Sequence, residues 1–332
     1  MTKKYRQRKL RAAVLWGTVF LFVVSASAGF AQEGKAKVRI SYPNTSICCL
    51  ALFAAQQWKI FEQNGLDVES IQMRSQAANS ALASGDIHYV AGVGPNSVAA
   101  TLRGLPSKAV WFASEQLIYS VMARPEFKSL KELRGKRIGL TGLGGTSDVA
   151  LRIALEAVGE NYRDFVVVAL GAPQLVSGLE SGTIEAAQLN SPLNYHAKKK
   201  GFRSLLEIGD YVQMPLGGLT ASNMAIQNRT GELKRVILSL QTAKRTLLQS
   251  KEKAIELIMR TIRVDREVAE EMFADNRRSA AGNGVPSREG MEQIIKSLQM
   301  LGQFSGRKMT FDEIADARIA REVAKELGYK TE

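Results

Sequence analysis

The pattern of hydrophobic and polar residues predicts strands and helices in regular alternation from Lys37 onward. Residues 38–42 alternate as in a strand, and apolar residues recur at helical spacing between Leu50 and Phe61. A strand over 66–73, an Ala-rich helix over 75–84 and a buried strand over 86–93 follow. This order predicts a βαβ unit at the start of the chain.

A second series of the same kind begins after Pro125. It runs through strands predicted over 136–141, 165–170 and 184–190, with helices between them. The continuous apolar strands indicate a parallel sheet that is covered on both faces. The chain therefore holds two α/β units.

The remainder of the chain is predicted to be almost wholly helical after an extended segment over 219–227. This helical part needs a surface to cover, and we expect it to return to the first unit. The predicted fold is α/β, with two lobes around a cleft and a two-stranded hinge formed by residues 118–123 and 219–227. The predicted domains are lobe 1, residues 32–122 and 219–332, and lobe 2, residues 123–218.

The N-terminus has the three-part pattern of a secretory signal peptide. Six basic residues within positions 1–11 precede the apolar run 12–24, which is followed by small residues. Cleavage is predicted after Ala28 or Ala31, and the apolar run is shorter than a spanning helix needs. An uncleaved anchor is the alternative. Since no cysteine stands near the cleavage site, the sequence predicts a free protein in a bacterial periplasm.

The charge of the chain does not indicate nucleic-acid binding, although the formal net charge is +13. Loss of the six basic residues in the signal peptide lowers it to +7. The remaining basic clusters, such as Lys198–Lys200, are short and lack interleaved aromatic residues. With two cysteines and two histidines at unsuitable spacing, no zinc site is predicted, and no cofactor is expected.

The sharpest local motif is the glycine-rich sequence GLTGLGGTSD over residues 139–148, where a strand runs into a helix. It is incomplete as a dinucleotide fingerprint because Ser147 stands at the third glycine position. Gly144 and Gly145 allow close approach to the backbone, and Thr146 and Ser147 are either donors to an anion or simple N-caps. Comparable polar turns precede other predicted helices. Together they predict a polar, largely uncharged ligand shell made of Asn44, Thr45, Ser46, Gln76, Gly94, Asn96, Ser97, Gln116, Gly144, Gly145, Thr146, Ser147 and Asn190.

Cys48 and Cys49 are the candidate nucleophiles, because a helix N-terminus lowers the pKa of a thiol. Two small buried thiols are the simpler interpretation. Neither His88 nor His196 has an obvious link to them, and the sequence shows no catalytic triad. We therefore expect a binding protein without catalytic residues.

The order of motifs resembles that of the solute-binding proteins of bacterial ABC transporters of the nitrate, sulfonate and taurine type. The segments that carry the resemblance are LFAAQ at 52–56, IFEQNGLDV at 60–68, ALASGDI at 81–87, SLKELRGKRIG at 129–139 and LESGTIEAA at 179–187. The resemblance implies a type II periplasmic-binding fold, in which two lobes close on a small ligand. It places the ligand contacts in the strand-end loops named above, Gln116 included.

The resemblance also implies the partners of this protein. They are a small anionic or zwitterionic solute and the membrane permease of an ABC transporter, and the binding protein itself is expected to be a monomer. Two alternatives remain. One is an enzyme similar to a desulfinase of the same fold, with Cys48 or Cys49 as nucleophile, and the other is a binding protein that serves a sensor.

Overall fold

The computed structural model describes residues 35–331 of the 332-residue chain. The predicted signal peptide and both predicted cleavage sites lie outside this range. Among the described residues, no helix combines the length and the apolar character that crossing a membrane requires.

Within this range the chain forms ten strands and fourteen α-helices. The strands are β1 (Ala36–Tyr42), β2 (Leu66–Gln72), β3 (Tyr89–Ala91), β4 (Ser107–Phe112), β5 (Tyr119–Ala123), β6 (Arg137–Leu140), β7 (Val166–Ala169), β8 (Ala186–Asn190), β9 (Arg203–Glu207) and β10 (Gly218–Ser222). The helices are α1 (Leu50–Gln57), α2 (Ile60–Gln63), α3 (Ser75–Ser84), α4 (Pro95–Leu102), α5 (Thr146–Ala157), α6 (Ala172–Ser181), α7 (Leu193–Lys199), α8 (Asn223–Asn228), α9 (Thr230–Gln249), α10 (Lys251–Ile262), α11 (Arg266–Ser279), α12 (Arg288–Met300), α13 (Phe311–Ile314) and α14 (Arg318–Glu326).

The strands form two separate five-stranded sheets. The first sheet has the order β2-β1-β3-β10-β4 and the second has the order β7-β6-β8-β5-β9. In the first, β1 runs parallel to β2 and β3, while β10 is antiparallel to β3 and β4. In the second, β6 runs parallel to β7 and β8, while β5 is antiparallel to β8 and β9. The strands of the second predicted series, β6, β7 and β8, are parallel as expected. Of the described strands, only β10 in the first sheet and β5 in the second run in the opposite direction, because each of these two strands arrives from the other sheet.

Local sequence accounts for most helix boundaries. The Ala-rich helix predicted over 75–84 is α3, and it ends at Gly85, which adopts the left-handed conformation with φ +81°. That conformation costs glycine no Cβ clash, so the helix stops there. The extended segment predicted over 219–227 is correct as far as Ser222, where β10 ends, and wrong after it, because residues 223–227 are helical. The Ser222 hydroxyl accepts a hydrogen bond from the Ala225 amide at 3.1 Å and thereby starts helix α8.

The two sheets are joined by crossing segments at residues 113–118 and 208–217. These segments contact each other, because the Ala113 amide donates to the Gly217 carbonyl at 2.9 Å and the Gly217 amide donates to the Ser114 hydroxyl at 3.0 Å. The predicted hinge at 118–123 differs from this position, since β5 already belongs to the second sheet. Strand propensity alone does not reveal which sheet an apolar strand joins.

The buried apolar residues form separate clusters, one of which connects the two sheets. The C-terminal helices α9, α10 and α14 cover the first sheet, with buried residues such as Leu240, Ile255 and Val323 packed near Ile40. A second cluster brings α4 of the first-sheet part together with α5 of the second-sheet part, and α12 fills the space between them through Ile294. The helical C-terminal part therefore contacts both sheets rather than only the first.

Candidate functional site

A cavity of about 160 Å³ lies between the two sheets, at the ends of their parallel strands. The first-sheet part supplies most of its wall, and Tyr119, Thr146 and Asn190 come from the second-sheet part. The lining residues are Ser41, Tyr42, Pro43, Asn44, Ser46, Cys48, Met73, Ser75, Ala78, Asn79, Val90, Ala91, Gly92, Val93, Gly94, Asn96, Ser97, Tyr119, Thr146, Asn190 and Leu216. In α/β folds the carboxyl ends of strands are the usual place for a ligand.

None of the side chains that line this cavity is charged at neutral pH in its ordinary state. Four asparagine amides, several hydroxyls and one thiol supply its polar atoms. The rest of the wall is apolar and includes Met73, Val93 and Leu216. An uncharged wall with polar and apolar sides binds a small molecule by hydrogen bonds and van der Waals contacts rather than by ion pairs.

Three helices of eight residues or more begin at the cavity wall. They are α3, which starts at Ser75, α4, which starts after Gly94, and α5, which starts at Thr146. The N-cap residue of α3 is Arg74, whose side chain makes no capping hydrogen bond. The N-cap residue of α5 is Gly145, which has no side chain to make one. The amides in the first turn of a helix carry a partial positive charge, so these helix starts favour an anionic group in the cavity.

The glycine-rich turn before α5 is held by Asp148, a residue that the sequence analysis did not single out. Its carboxylate is 1% exposed and accepts hydrogen bonds from the Gly144 amide at 2.8 Å, the Arg152 Nε at 3.0 Å and the Tyr162 hydroxyl at 2.6 Å. Gly144 has φ +72°, which a residue with a Cβ rarely adopts. The sequence feature that could have indicated this role is that Asp148 is an acidic residue in the first turn of a predicted helix.

Seven of the thirteen predicted site residues line the cavity: Asn44, Ser46, Gly94, Asn96, Ser97, Thr146 and Asn190. The other six lie outside the lining: Thr45, Gln76, Gln116, Gly144, Gly145 and Ser147. Two of these are engaged elsewhere. The Gln116 side chain donates to the Gly209 carbonyl at 2.7 Å, and the Ser147 hydroxyl accepts from the Thr141 hydroxyl at 3.0 Å.

Other lining residues were missed because they lie within or just beside strands. Ser41, in β1, is fully buried, and its hydroxyl has no hydrogen-bond partner within the described protein. Tyr119 begins β5, and burial together with the nearby Cys48 raises the pKa of its phenol. The Ser41 hydroxyl is a polar group that a ligand would satisfy, since buried polar groups are generally hydrogen-bonded.

Cys48 and Cys49 lie side by side at the cavity. Cys48 is half-buried and lines the cavity, whereas Cys49 is 2% exposed. Their Sγ atoms are 3.4 Å apart, and the Cys48 Sγ is 3.1 Å from the Ser46 hydroxyl. The hydrogen bond from Cys49 lowers the pKa of Cys48, while that same bond and burial raise the pKa of Cys49. Of the two thiols that were expected to be buried, only Cys49 is.

Within residues 35–331, neither histidine contacts this pair of thiols. The His88 ring accepts a hydrogen bond from the Arg39 amide at 2.9 Å, on the first sheet. Among residues 35–331, no group of three or more His, Cys, Asp or Glu side chains is arranged to hold a metal ion.

Comparisons with known proteins agree with this architecture. The sequence profile of the family described as NMT1/THI5 like matches residues 48–246. A protein of Brucella abortus (strain 2308), named only as a candidate binding protein, is 26% identical over 236 residues, which are 68% of this chain and 70% of the relative.

Solved structures that share this fold include a binding protein and an enzyme. The periplasmic aliphatic sulphonate binding protein SsuA from Escherichia coli superimposes with a TM-score of 0.72 at 16% identity, over 86% of this chain and 99% of that one. The desulfurization enzyme DSZB superimposes with a TM-score of 0.68 at 14% identity, over 87% of this chain and 99% of that one. The expected type II periplasmic-binding fold is confirmed, and the fold alone does not decide between a binding protein and an enzyme.

Proposed function

Because the chain belongs to the NMT1/THI5-like family, we propose that it is an exported solute-binding protein of an ABC transporter. It holds a small anionic or zwitterionic solute in the cavity between its two sheets and delivers that solute to a membrane permease. The observation that carries this proposal is a cavity with an uncharged wall on which three helix N-termini converge.

The chemistry of the wall supports a solute with one compact anionic group and an apolar part. Helix N-termini and the Asn96 and Asn190 side chains supply donors to the anionic group. Met73, Val93 and Leu216 supply apolar contacts for the remainder. The volume of about 160 Å³ favours a small solute, since drug-sized pockets are several times larger.

The arrangement of the two sheets supports capture by closure. Residues of both parts meet over the cavity, and a Cβ added at Gly94 would lie 3.3 Å from the Thr146 hydroxyl. The proposed lobes are the predicted ones, residues 32–122 with 219–332 and residues 123–218, except that the first boundary moves from residue 122 to residue 118, ahead of β5. Closure then bends the crossing segments 113–118 and 208–217.

A thermal-shift screen of the purified mature protein tests this proposal. Sulfonates, nitrate, carboxylates, amino acids and pyrimidines are the probes, and a ligand that binds the native state raises the unfolding midpoint by mass action. We expect a midpoint rise with at least one anionic or zwitterionic probe. A response only to neutral pyrimidines would contradict the proposed solute class, and no response to any probe would contradict the binding role.

Matched variants locate the binding in the cavity. Asn190→Ala and Thr146→Val each remove one polar group from the wall, and we expect the dissociation constant to rise about tenfold for each. Asn228→Ala and Thr183→Val are the controls, because both residues are exposed and lie outside the lining. Equal effects in the site and control variants would place the ligand elsewhere.

A second candidate function is supported by Cys48, whose thiol faces the cavity with a lowered pKa. In an enzyme similar to a desulfinase, this thiolate would attack the substrate. The test is sulfite release from an aryl sulfinate by the wild type and by Cys48→Ser. For a binding protein we expect no release from either, and release by the wild type alone would establish the enzyme.

A further inference from the structure

The two adjacent cysteines form an asymmetric pair at the wall of the proposed solute cavity. Cys48 contacts the cavity, and Cys49 lies directly behind it with only 2% of its surface exposed. The Sγ atoms are 3.4 Å apart. One thiol is therefore positioned to meet a small molecule, and the other is positioned to react with the first.

The surroundings of Cys48 favour its thiolate. The Cys49 thiol and the Ser46 hydroxyl both lie within hydrogen-bonding distance of the Cys48 Sγ. The turn at residues 47–49 leads into helix α1. A thiolate with a lowered pKa is the attacking species in thiol–disulfide exchange.

The cavity wall also holds a polar group that lacks a hydrogen-bond partner within the described residues. Ser41 is fully buried, lines the same cavity and has a hydroxyl with no hydrogen-bond partner in the described protein. A buried unpaired hydroxyl is costly unless an incoming molecule satisfies it. The thiol pair therefore lies beside a cavity whose wall has a buried hydroxyl available to a ligand.

We propose that Cys48 is a modification site that reacts with small aliphatic disulfides and that Cys49 is its resolving thiol. This inference deepens the proposed solute-binding function, because it adds redox control of the same cavity. The chemical class of the reactant is a compact disulfide that carries polar groups. Its product is a disulfide between Cys48 and Cys49.

The reaction proceeds in two balanced exchanges. The Cys48 thiolate attacks one sulfur of the small disulfide, forms a mixed disulfide and expels one small thiolate. Cys49 then loses its proton to that thiolate or to water, attacks the Cys48 sulfur and expels the second small thiolate. The protein loses two protons and two electrons in total, and the small disulfide takes them up and is reduced to two thiols.

A disulfide between neighbouring residues strains the backbone. Neighbouring Cα atoms are about 3.8 Å apart, which is less than the usual span of about 4.4–6.8 Å across a disulfide. The turn at 47–49 must therefore move. A strained disulfide is readily reduced again, so the modification is reversible.

Movement at Cys48 reaches the segments that join the two sheets. Gly217 packs against the Cys48 carbonyl so closely that an added Cβ would be 2.7 Å from its oxygen. Gly217 in turn bonds Ala113 and Ser114 of the other crossing segment. Oxidation of the pair is thus expected to disturb the contacts between the two crossing segments and to lower solute affinity at least about tenfold.

Intact-mass spectrometry after treatment of the folded protein with hydroxyethyl disulfide tests the proposal. The wild type is expected to lose two hydrogen atoms and to retain no adduct. Cys49→Ser is expected to keep a stable adduct at Cys48, and Cys48→Ser is expected to react at least about tenfold more slowly than Cys49→Ser. Thermal midpoints of the untreated variants confirm that each one is folded.

Three results would overturn the proposal. They are a wild type that keeps both thiols free, a wild type that keeps the adduct with Cys49 unoxidised, and a Cys48→Ser variant that reacts as fast as Cys49→Ser. Because these measurements need no solute, they fail or succeed independently of the ligand screen. Once a solute is known, equal affinity of the oxidised and reduced wild type would refute the predicted redox control.

Discussion

Lys244 gives a quantitative test of the packing behind the crossing segments. This residue in α9 is 3% exposed, and its ammonium group donates to the carbonyls of Phe112 and Ala281 and lies 5.2 Å from the centre of the Trp111 ring. Burial lowers the pKa of Lys244 from 10.5 to about 7, and the negative charge of Glu115 raises it by a smaller amount. We expect Lys244→Met to abolish the pH dependence of stability that this lysine causes.

The sign and size of that dependence follow from proton linkage. Between about pH 7 and pH 9 the unfolded chain keeps the Lys244 proton while the folded protein loses it, so the unfolded state binds more protons and the free energy of unfolding rises with pH. Each pH unit contributes up to about 1.4 kcal/mol. At about pH 7 only half of the folded molecules have lost the Lys244 proton, so the first pH unit contributes less than this maximum. The free energy of unfolding therefore rises by about 2 kcal/mol between about pH 7 and pH 9.

Urea unfolding at several pH values between about 7 and 9 measures the effect. The readout is the slope against pH, because methionine also leaves two carbonyls without their donor, at a cost of about 1–3 kcal/mol each. Lys296→Met is the control, since this lysine is exposed, and we expect it to keep the wild-type slope. A slope in Lys244→Met equal to that of the wild type would refute the reasoning.

Three further changes test other parts of the structure by urea unfolding. Asp148→Asn weakens the carboxylate contacts that hold the Gly144 turn, and we expect a loss of about 2 kcal/mol; unchanged stability would show that the turn is held by other contacts. Gly217→Ala places a Cβ 2.7 Å from the Cys48 carbonyl oxygen, and we expect it to lower the free energy of unfolding by about 1–3 kcal/mol. The control is Gly231→Ala in helix α9, where the space around the glycine is open, and we expect it to raise the free energy of unfolding by about 0.5–1 kcal/mol. Burial raises the pKa of Asp275 from 3.8 to about 6, so the folded state binds more protons in that window and stability falls as pH rises from about 4 to 6; Asp275→Asn should remove this fall, and an unchanged profile would contradict it.

Much of the local structure could be predicted from the sequence because its causes are local. The apolar spacing and Gly85 were sufficient to predict α3 with its observed boundaries. Seven residues from the polar turns after predicted strands line the cavity, since strand ends on one edge of a sheet lie close together. The confirmed family and fold depended on motifs spread along the chain, none of which is specific alone.

Strand β9 and the sheet membership of β5 depended on tertiary contacts. Residues 203–207 have no clear alternation and form β9 because the edge of β5 is available for pairing. The sequence also does not reveal that Gln116 turns away to Gly209, that Asp148 holds the glycine-rich turn, or that Ser41 is buried at the cavity without a partner. These features arise where residues far apart in the chain meet, so hydrophobic spacing and helix caps, which act over a few residues, carry no information about them. The uncharged wall of the cavity has the same origin, because Tyr119, Thr146 and Asn190 join the first-sheet residues only after both sheets have formed and packed together.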